Sequence, residues 1–228
     1  MTRTRRASSP RTESEGAGRA RPFKRRAGLV LLLTTLALLA VTVAALAVTG
    51  DLTQPAGTAG CISETGAGSC ANGHALNSPH SVAVSPDGKS VYATSQTPNA
   101  VVRFYRDTTI GWIAQPTGTA GCVSETGAGA CANGHALTNP GAPTVSPDGK
   151  SLYVTSDDAV ARFNRNLNTG AITQPAGAAG CVSNTGAGPC VDGHALNGPT
   201  GVAVSPDGKS VYAAVPSSTA VARFNRAP

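Results

Sequence analysis

One segment occurs three times along the chain and constrains its fold more than any other feature. Each copy begins with Cys-x8-Cys-x3-His, continues after ten residues with SPDGK, and then reaches an Arg-Phe pair. The copies begin at Cys61, Cys122 and Cys181, so the period is 61 and then 59 residues. A fixed period is typical of a tandem array of one supersecondary unit. The fold of the chain therefore follows from the fold of one unit.

The sequence around SPDGK predicts a β-hairpin. Pro86, Asp87 and Gly88 stand in the order that a type I turn with a following glycine favours. The flanking runs SVAVS and SVYATS alternate in the way that half-buried strands do. The third copy has the same pattern around Asp207.

A third strand is predicted after the hairpin, in the runs AVVRFYRD, AVARFNRN and AVARFNRA. Because strand side chains alternate between two faces, we expect each phenylalanine in the core and each preceding arginine solvated or paired at the sheet edge. The residues concerned are Phe104, Phe163 and Phe224, and Arg103, Arg162 and Arg223. The runs IGWIAQ and GAITQ predict a fourth strand. The predicted unit is a four-stranded antiparallel meander.

The basic residues are concentrated at the N terminus. Residues 1–27 contain nine Lys or Arg and two Glu, whereas the remaining 201 residues contain nine basic and ten acidic side chains. The repeats therefore carry a net charge of −1 with no basic stripe, and we expect no nucleic-acid partner.

An uncharged stretch of twenty residues runs from Leu29 to Val48. At about 1.5 Å per residue it spans the roughly 30 Å hydrocarbon layer of a bilayer. We therefore predict a transmembrane helix over residues 28–49, which is the chain's contact with a membrane. The positive-inside rule places the basic tail, residues 1–27, in the cytoplasm and the repeats outside it.

Two alternatives to this anchor remain open. Ala45-Leu46-Ala47 resembles a signal-peptidase site, so the protein would be secreted after cleavage. Arg25-Arg26 leaves a twin-arginine signal as a further reading. All three readings place the repeats outside the cytoplasm.

The six cysteines occur as three pairs at one spacing. An even number of regularly spaced cysteines in an exported chain is typical of disulfides. We predict the pairs Cys61 with Cys70, Cys122 with Cys131, and Cys181 with Cys190. Each bridge closes a ten-residue loop and stabilises it by roughly 2.7 kcal/mol through chain entropy.

One histidine follows each cysteine pair, at His74, His135 and His194. Zinc sites commonly combine reduced cysteines two to four residues apart, and these exported pairs fit neither condition. We therefore predict no metal and no cofactor. The histidines are expected to form hydrogen bonds within their loops, and a ligand-facing role is the alternative.

Four short strands in each repeat predict the blade of a β-propeller. The run VAVSPDGKSVYATS followed by NAVVRFYRD resembles the YVTN-type repeats of lactonase-like seven-bladed propellers and their bacterial surface relatives. The likeness covers about residues 79–116, 140–175 and 199–226. We therefore predict an all-β partial propeller of three four-stranded antiparallel blades over residues 50–228, behind the N-terminal helix. The repeats lie at about residues 54–116, 117–175 and 176–226.

Two features depart from that family. Its blades lack the stapled segment of about 20 residues, so the loops are expected to be an elaboration of one face. Pro143 stands where the other copies have Val82 and Val202, which removes a ladder donor and predicts a distorted second blade.

Three blades are too few for a closed ring, because propellers typically have 4–8. The segment Leu52-Thr53-Gln54 matches the end of a fourth strand and could complete the last blade. Three alternatives remain open: a homodimer with a six-bladed ring, an open stack, or a fragment of a longer protein.

For function, we favour a non-catalytic module that presents stapled loops to an unknown extracellular partner. The alternative is a lactonase-like hydrolase, which is implied only by the resemblance. Its carboxylate candidates are Asp87, Asp148 and Asp207, which also suit their turns. The sequence has no HExxH or phosphate-binding glycine motif.

Overall fold

The computed structural model describes residues 50–227. These residues form short β-strands and 3-10 turns, and they contain no α-helix. The 3-10 turns span Gly57–Ala59, Ala67–Ser69, Gly118–Ala120, Ala128–Ala130, Gly177–Gly180 and Pro216–Ser218. Within this part of the chain, no helix has the length and apolarity needed to cross a bilayer. The predicted tail and membrane or signal segment, residues 1–49, lie outside the described residues.

The first stapled loop forms a small sheet of its own. Its strands β1 (Ile62–Ser63) and β2 (Ala71–Asn72) pair in parallel. The first blade then follows. Its strands are β3 (Asn77–Val84), β4 (Ser90–Thr97), β5 (Ala100–Arg106), β6 (Ile113–Ala114), β7 (Cys122–Ser124) and β8 (Ala132–Asn133).

The second blade repeats this arrangement, and the third blade is shorter. The second consists of β9 (Pro143–Val145), β10 (Ser151–Thr155), β11 (Ala159–Arg165), β12 (Ile172–Thr173), β13 (Cys181–Ser183) and β14 (Val191–Asp192). The third consists of β15 (Gly201–Val204), β16 (Ser210–Val215) and β17 (Ala220–Asn225).

The SPDGK turns connect the first two strands of each blade as predicted. The N–H of Gly88 donates to the carbonyl oxygen of Ser85 at 2.8 Å. Gly88 has a φ of +68°, which a residue with a side chain rarely adopts. The two strands then pair antiparallel, with Val84 opposite Val91.

The outer strand of each complete blade differs from the prediction. β6 and β12 contain only two residues each and pair with one end of β5 and β11. The stapled loops supply the rest of the outer strand. β7 pairs with the other end of β5, and β13 pairs with the other end of β11. Each of these two loops is therefore the outer edge of the preceding blade, and for them the expectation of an elaboration on one face is wrong.

The prediction of three four-stranded antiparallel blades is therefore confirmed in part. Two sheets have the antiparallel meander with a divided outer strand, and β8 and β14 add parallel pairs at their edges. The third sheet has three strands among the described residues. The segment Leu52-Thr53-Gln54, which was expected to end a fourth strand, has no strand structure.

Pro143 shortens the second blade without breaking it. It is the first residue of β9, where its missing N–H is tolerated, and it lies opposite Val154. Beside it, the N–H of Ala142 donates to Thr155 Oγ1 at 2.9 Å. The inner strand therefore has three residues, against eight in β3.

The blades stack through apolar clusters, and β9 lies beside both β3 and β15. One cluster joins Tyr92 and Val101 of the first blade to Leu152 and Phe163 of the second. Another joins the second and third blades, and a further one packs the first stapled loop on the first blade. As predicted, Phe104 and Phe163 are buried, whereas Phe224 is half-buried.

A leucine after each stapled loop fills the space beside the next blade. Leu76, Leu137 and Leu196 are all buried, and each belongs to one of the three clusters. These residues tie each loop to the blade that follows it, while the strands β7 and β13 of the second and third loops belong to the blade before them.

We predict that Leu137→Ala lowers the free energy of unfolding by about 2–5 kcal/mol, because it opens a cavity between two blades. Leu167→Ala is the matched control, since Leu167 is exposed, and its expected cost is below about 1 kcal/mol. Urea denaturation measures both values. Equal losses would contradict the role given to Leu137.

Candidate functional site

The three stapled loops are closed by disulfides with one geometry. The bridges are Cys61–Cys70, Cys122–Cys131 and Cys181–Cys190, with Cα–Cα distances of 4.8, 4.7 and 4.8 Å. The pairs are those that the spacing predicts. Inside the first loop the backbone turns through the left-handed region at Gly66 and Gly68, each with a φ of +71°. The glycines of the TGAG sequence therefore allow the backbone to turn.

A polar side chain at the start of each loop holds the segment that leaves it. The N–H of Leu76 donates to Glu64 Oε2, that of Leu137 to Glu125 Oε2, and that of Leu196 to Asn184 Oδ1. These side chains are thus occupied in shaping the loop.

The loop tips that remain are exposed and uncharged. The exposed residues are Thr65, Ala67, Gly68 and Ser69 in the first loop, Thr126, Ala128, Gly129 and Ala130 in the second, and Thr185, Ala187, Gly188 and Pro189 in the third. Each tip therefore offers a hydroxyl, small apolar groups and exposed backbone.

The three histidines lie where one repeat meets the next. The N–H of His74 donates to Gln115 Oε1 at 2.8 Å, and Gln115 Nε2 donates to the carbonyl oxygen of His74 at 2.9 Å. His135 and Gln174 form the same pair at 2.8 and 2.9 Å. These bonds run to the glutamine just before the next stapled loop, so the expectation of bonds within the loop is wrong.

The ring of His74 points at the same junction, with Nε2 3.2 Å from the carbonyl oxygen of Gly118. His194 is exposed, and no glutamine pairs with it among residues 50–227. That range also contains no group of three or more His, Cys, Asp or Glu placed to bind a metal ion. The histidines lie singly, one to each junction.

The turn aspartates, which were the carboxylate candidates for hydrolysis, bind arginines of the next blade. Arg165 Nη2 lies 3.0 and 2.8 Å from the two carboxylate oxygens of Asp87. Its Nε donates to Tyr92 Oη at 2.8 Å, and Nη1 donates to the carbonyl oxygen of Gly149 at 3.2 Å. Because the Arg165 side chain is only 1% exposed, this ion pair is a fixed contact between blades.

The same arrangement joins the second and third blades. Arg226 Nη2 lies 2.8 Å from both oxygens of Asp148, and its Nε donates to Tyr153 Oη at 3.1 Å. We call each set of Arg, Asp and Tyr an interblade clamp. Asp207 holds only its own turn, through Ser205 Oγ and the N–H of Lys209.

The clamps keep both carboxylates ionised. Partial burial acts to raise the pKa of Asp148, but hydrogen bonds from Arg226, Ser146 and the N–H of Lys150 outweigh it and hold the pKa at about 2. Asp87 also has a pKa of about 2, for the same reasons. A carboxylate held by an arginine and a serine is poorly suited to act as a base.

The arginine before each phenylalanine was expected to be solvated or paired at the sheet edge. This expectation is wrong for Arg103. Arg103 is 1% exposed, and its Nη1 and Nη2 donate to the carbonyl oxygens of Ala120 and Thr169 at 3.0 and 2.6 Å. Its guanidinium lies 4.3 Å from the centre of the Tyr105 ring. Arg162 and Arg223 are more exposed, and each bonds an asparagine two residues on.

Sequence reasoning missed the clamp arginines, Arg165 and Arg226, which stand three residues after Arg162 and Arg223. The sequence did contain a sign of these arginines, because the aspartate and the arginine of each clamp stand at the same separation of 78 residues.

A polar groove of about 410 Å³ lies beside the start of the inner strands. Its lining includes His80, Gln96, Asn139 and Asp157. Asp157 is the one carboxylate among the lining residues, and it accepts a hydrogen bond from Asn139 Nδ2 at 3.0 Å. The groove therefore lacks the paired acidic groups that hydrolysis by two carboxylates requires.

Comparisons with known proteins give low similarity. No family model matches the chain, and no curated protein matches it. Among solved structures, a candidate 6-phosphogluconolactonase from Bacteroides fragilis is 20% identical with a TM-score of 0.46, and one from Bacteroides uniformis is 23% identical with a TM-score of 0.45. The periplasmic gluconolactonase of Pseudomonas aeruginosa is 20% identical with a TM-score of 0.44.

These alignments cover 65%, 65% and 66% of this chain but 35%, 36% and 36% of the three proteins. The chain thus spans about a third of their length. The described residues are all-β and form propeller-type blades, and these three solved structures to which the chain is similar are lactonase-like proteins.

We predict that Asp148→Asn removes part of the acid sensitivity of the fold. A carboxylate with a lowered pKa stabilises the fold above its unfolded value near pH 4, and this contribution is lost as the pH falls toward 2. After allowance for solvent screening it is about 1 kcal/mol. Urea unfolding at pH 7 and at pH 2–5 should therefore show wild type with the larger free energy of unfolding at and above pH 4, and this difference should shrink toward zero as the pH falls to 2.

The matched control for this prediction is Asp158→Asn, because Asp158 is exposed. We expect wild-type behaviour from it at every pH. A constant difference between Asp148→Asn and wild type down to pH 2 would contradict the role of the ionised clamp.

Proposed function

We propose that the repeats form a non-catalytic module that binds a neutral, repetitive polymer outside the cytoplasm. The observation that carries this proposal is the threefold display of one loop, with the same staple, a polar anchor at the same position and an exposed uncharged tip. Three like sites on one chain suit a partner that repeats its own unit, because linked sites bind by avidity.

The staples make the tips suitable for binding. A bridge that closes ten residues removes conformational freedom before the partner arrives, so less entropy is lost on binding. Disulfides also persist in oxidising compartments, which supports a place outside the cytoplasm. In this proposal the uncharged segment from Leu29 to Val48 anchors the module in the membrane.

The chemistry of the tips indicates the class of partner. Thr65, Thr126 and Thr185 are exposed, and no charged side chain stands between each threonine and the second cysteine of its loop. Recognition would therefore use hydroxyl and backbone groups, which match the hydroxyl-rich surface of a neutral polysaccharide. The carboxylates Asp87 and Asp148 are occupied in the clamps, which supports binding over hydrolysis.

We predict that the full chain, in detergent, co-sediments with at least one of three insoluble polysaccharides: cellulose, chitin or starch granules. Thr→Asp changes at Thr65, Thr126 and Thr185 should weaken binding stepwise, with at least a tenfold loss in the triple variant. Thr108→Asp is the matched control, because Thr108 is an exposed turn residue outside the loops.

The proposed partner would be overturned if the chain bound none of the three polysaccharides. It would also be overturned if the triple variant bound as tightly as wild type. Hydrolysis of gluconolactone by the full chain above the spontaneous rate, measured by proton release, would overturn the non-catalytic assignment and support the lactonase-like alternative.

A further inference from the structure

We infer that a second copy of this chain covers both open ends of the blade stack, so that two copies close a ring of six blades. In this assembly the third blade of each copy packs on the first blade of the other. Three separate sets of residues at the two ends are complementary, and each repeats a contact that already occurs elsewhere within one copy.

The first set is a divided clamp. On the first and second blades an Asp, a Ser and a Tyr receive an arginine of the next blade. The third blade has the same acceptors, Asp207, Ser210 and Tyr212, and none of them bonds an arginine of another blade within residues 50–227. Tyr212 is exposed, whereas Tyr92 and Tyr153 are buried.

The matching arginine is at the opposite end. Arg106 Nη1 donates to the carbonyl oxygen of Gly88 at 3.0 Å, as Arg165 Nη1 does to that of Gly149. Arg165 also binds a carboxylate of the preceding blade, and Arg106 has no such partner in the described part of the chain. Asp207 of a second copy supplies it.

The second set is an unpaired strand edge. Among residues 50–227 no outer strand pairs with β17. Val221 is 72% exposed, whereas its counterparts Val101 and Val160 are 0% and 5% exposed beneath β7 and β13. β1 has the sequence of an outer strand but pairs only with β2. By the register of Val101 with Val123 and of Val160 with Val182, Ile62 would lie opposite Val221 of the second copy.

The third set is the junction of His and Gln. His74 and His135 each exchange two backbone hydrogen bonds with the glutamine before the next loop. His194 has no such glutamine among the described residues, and Gln54 has no such histidine. Gln54 already donates to the carbonyl oxygen of Gly60 at 3.2 Å, as Gln174 does to that of Gly180. Gln54 is therefore set to receive His194 of a second copy.

Apolar surface supports the same contact. Val84 is 53% exposed on the first blade, whereas its counterparts Val145 and Val204 pack against the neighbouring blade. Because both ends follow the same interblade pattern, each copy donates and accepts once, which closes the assembly by two-fold symmetry. Two copies give six blades, the one multiple of three within the usual range of 4–8.

The test is a charge exchange on the full chain in detergent, with the mass measured by native mass spectrometry. We expect wild type to contain two copies. Arg106→Glu and Asp207→Arg should each be single copies, because both interfaces then bring like charges together. Mixed one to one, they should form a pair of one copy each, because one interface has the exchanged ion pair and the other the wild-type pair.

Lys150→Glu is the matched control, because Lys150 is an exposed residue in the turn of the middle blade; it should remain a pair. A wild-type chain that stays single at about 100 µM, or a series of masses that grows without closing, would overturn the inference. So would two folded variants that stay single when mixed.

A second measurement does not depend on the charged variants. The chain with both Ile62→Cys and Val221→Cys should form a disulfide-linked pair on a non-reducing gel, and neither single variant should. Absence of the linked pair from the double variant would overturn the strand contact.

Discussion

The contact on which the rest of the structure depends is the interblade clamp. In it, an arginine at the end of the third strand of one blade reaches the turn aspartate of the blade before it. Arg165 binds Asp87, Tyr92 Oη and a carbonyl oxygen of its own blade at once. Removing one partner of a fully buried pair typically costs about 3–5 kcal/mol, and the cost here is smaller because the Asp87 side chain is 32% exposed. The clamp therefore fixes how successive blades are placed, whatever its net contribution to stability.

The stapled loops couple the blades in a second way. The second and third loops each provide the outer strand of the blade before them and, through a leucine such as Leu137, core for the blade after them. A repeat of the sequence is thus shared between two blades. This explains why small, glycine-rich loops recur with so little change: their staple and their polar anchor hold a strand that could not be ordered by packing alone.

Much of this fold was predictable from the sequence, and the missing parts have physical causes. The hairpins, the third strand and the disulfide pairs follow from local patterns, and the structure contains them. The divided outer strand could not be predicted, because the partner of Cys122–Ser124 is set by tertiary pairing with β5. Arg103 was assigned to the sheet edge because strand alternation distinguishes two faces but not whether another blade covers one of them.

The most direct test of the clamp is a double-mutant cycle on Asp87 and Arg165. The free energy of unfolding is measured for wild type, Asp87→Asn, Arg165→Met and the double variant. If the clamp couples the blades, the two changes together cost less than their sum by about 1–3 kcal/mol. Additive costs, within about 0.5 kcal/mol, would contradict the central place given to this contact.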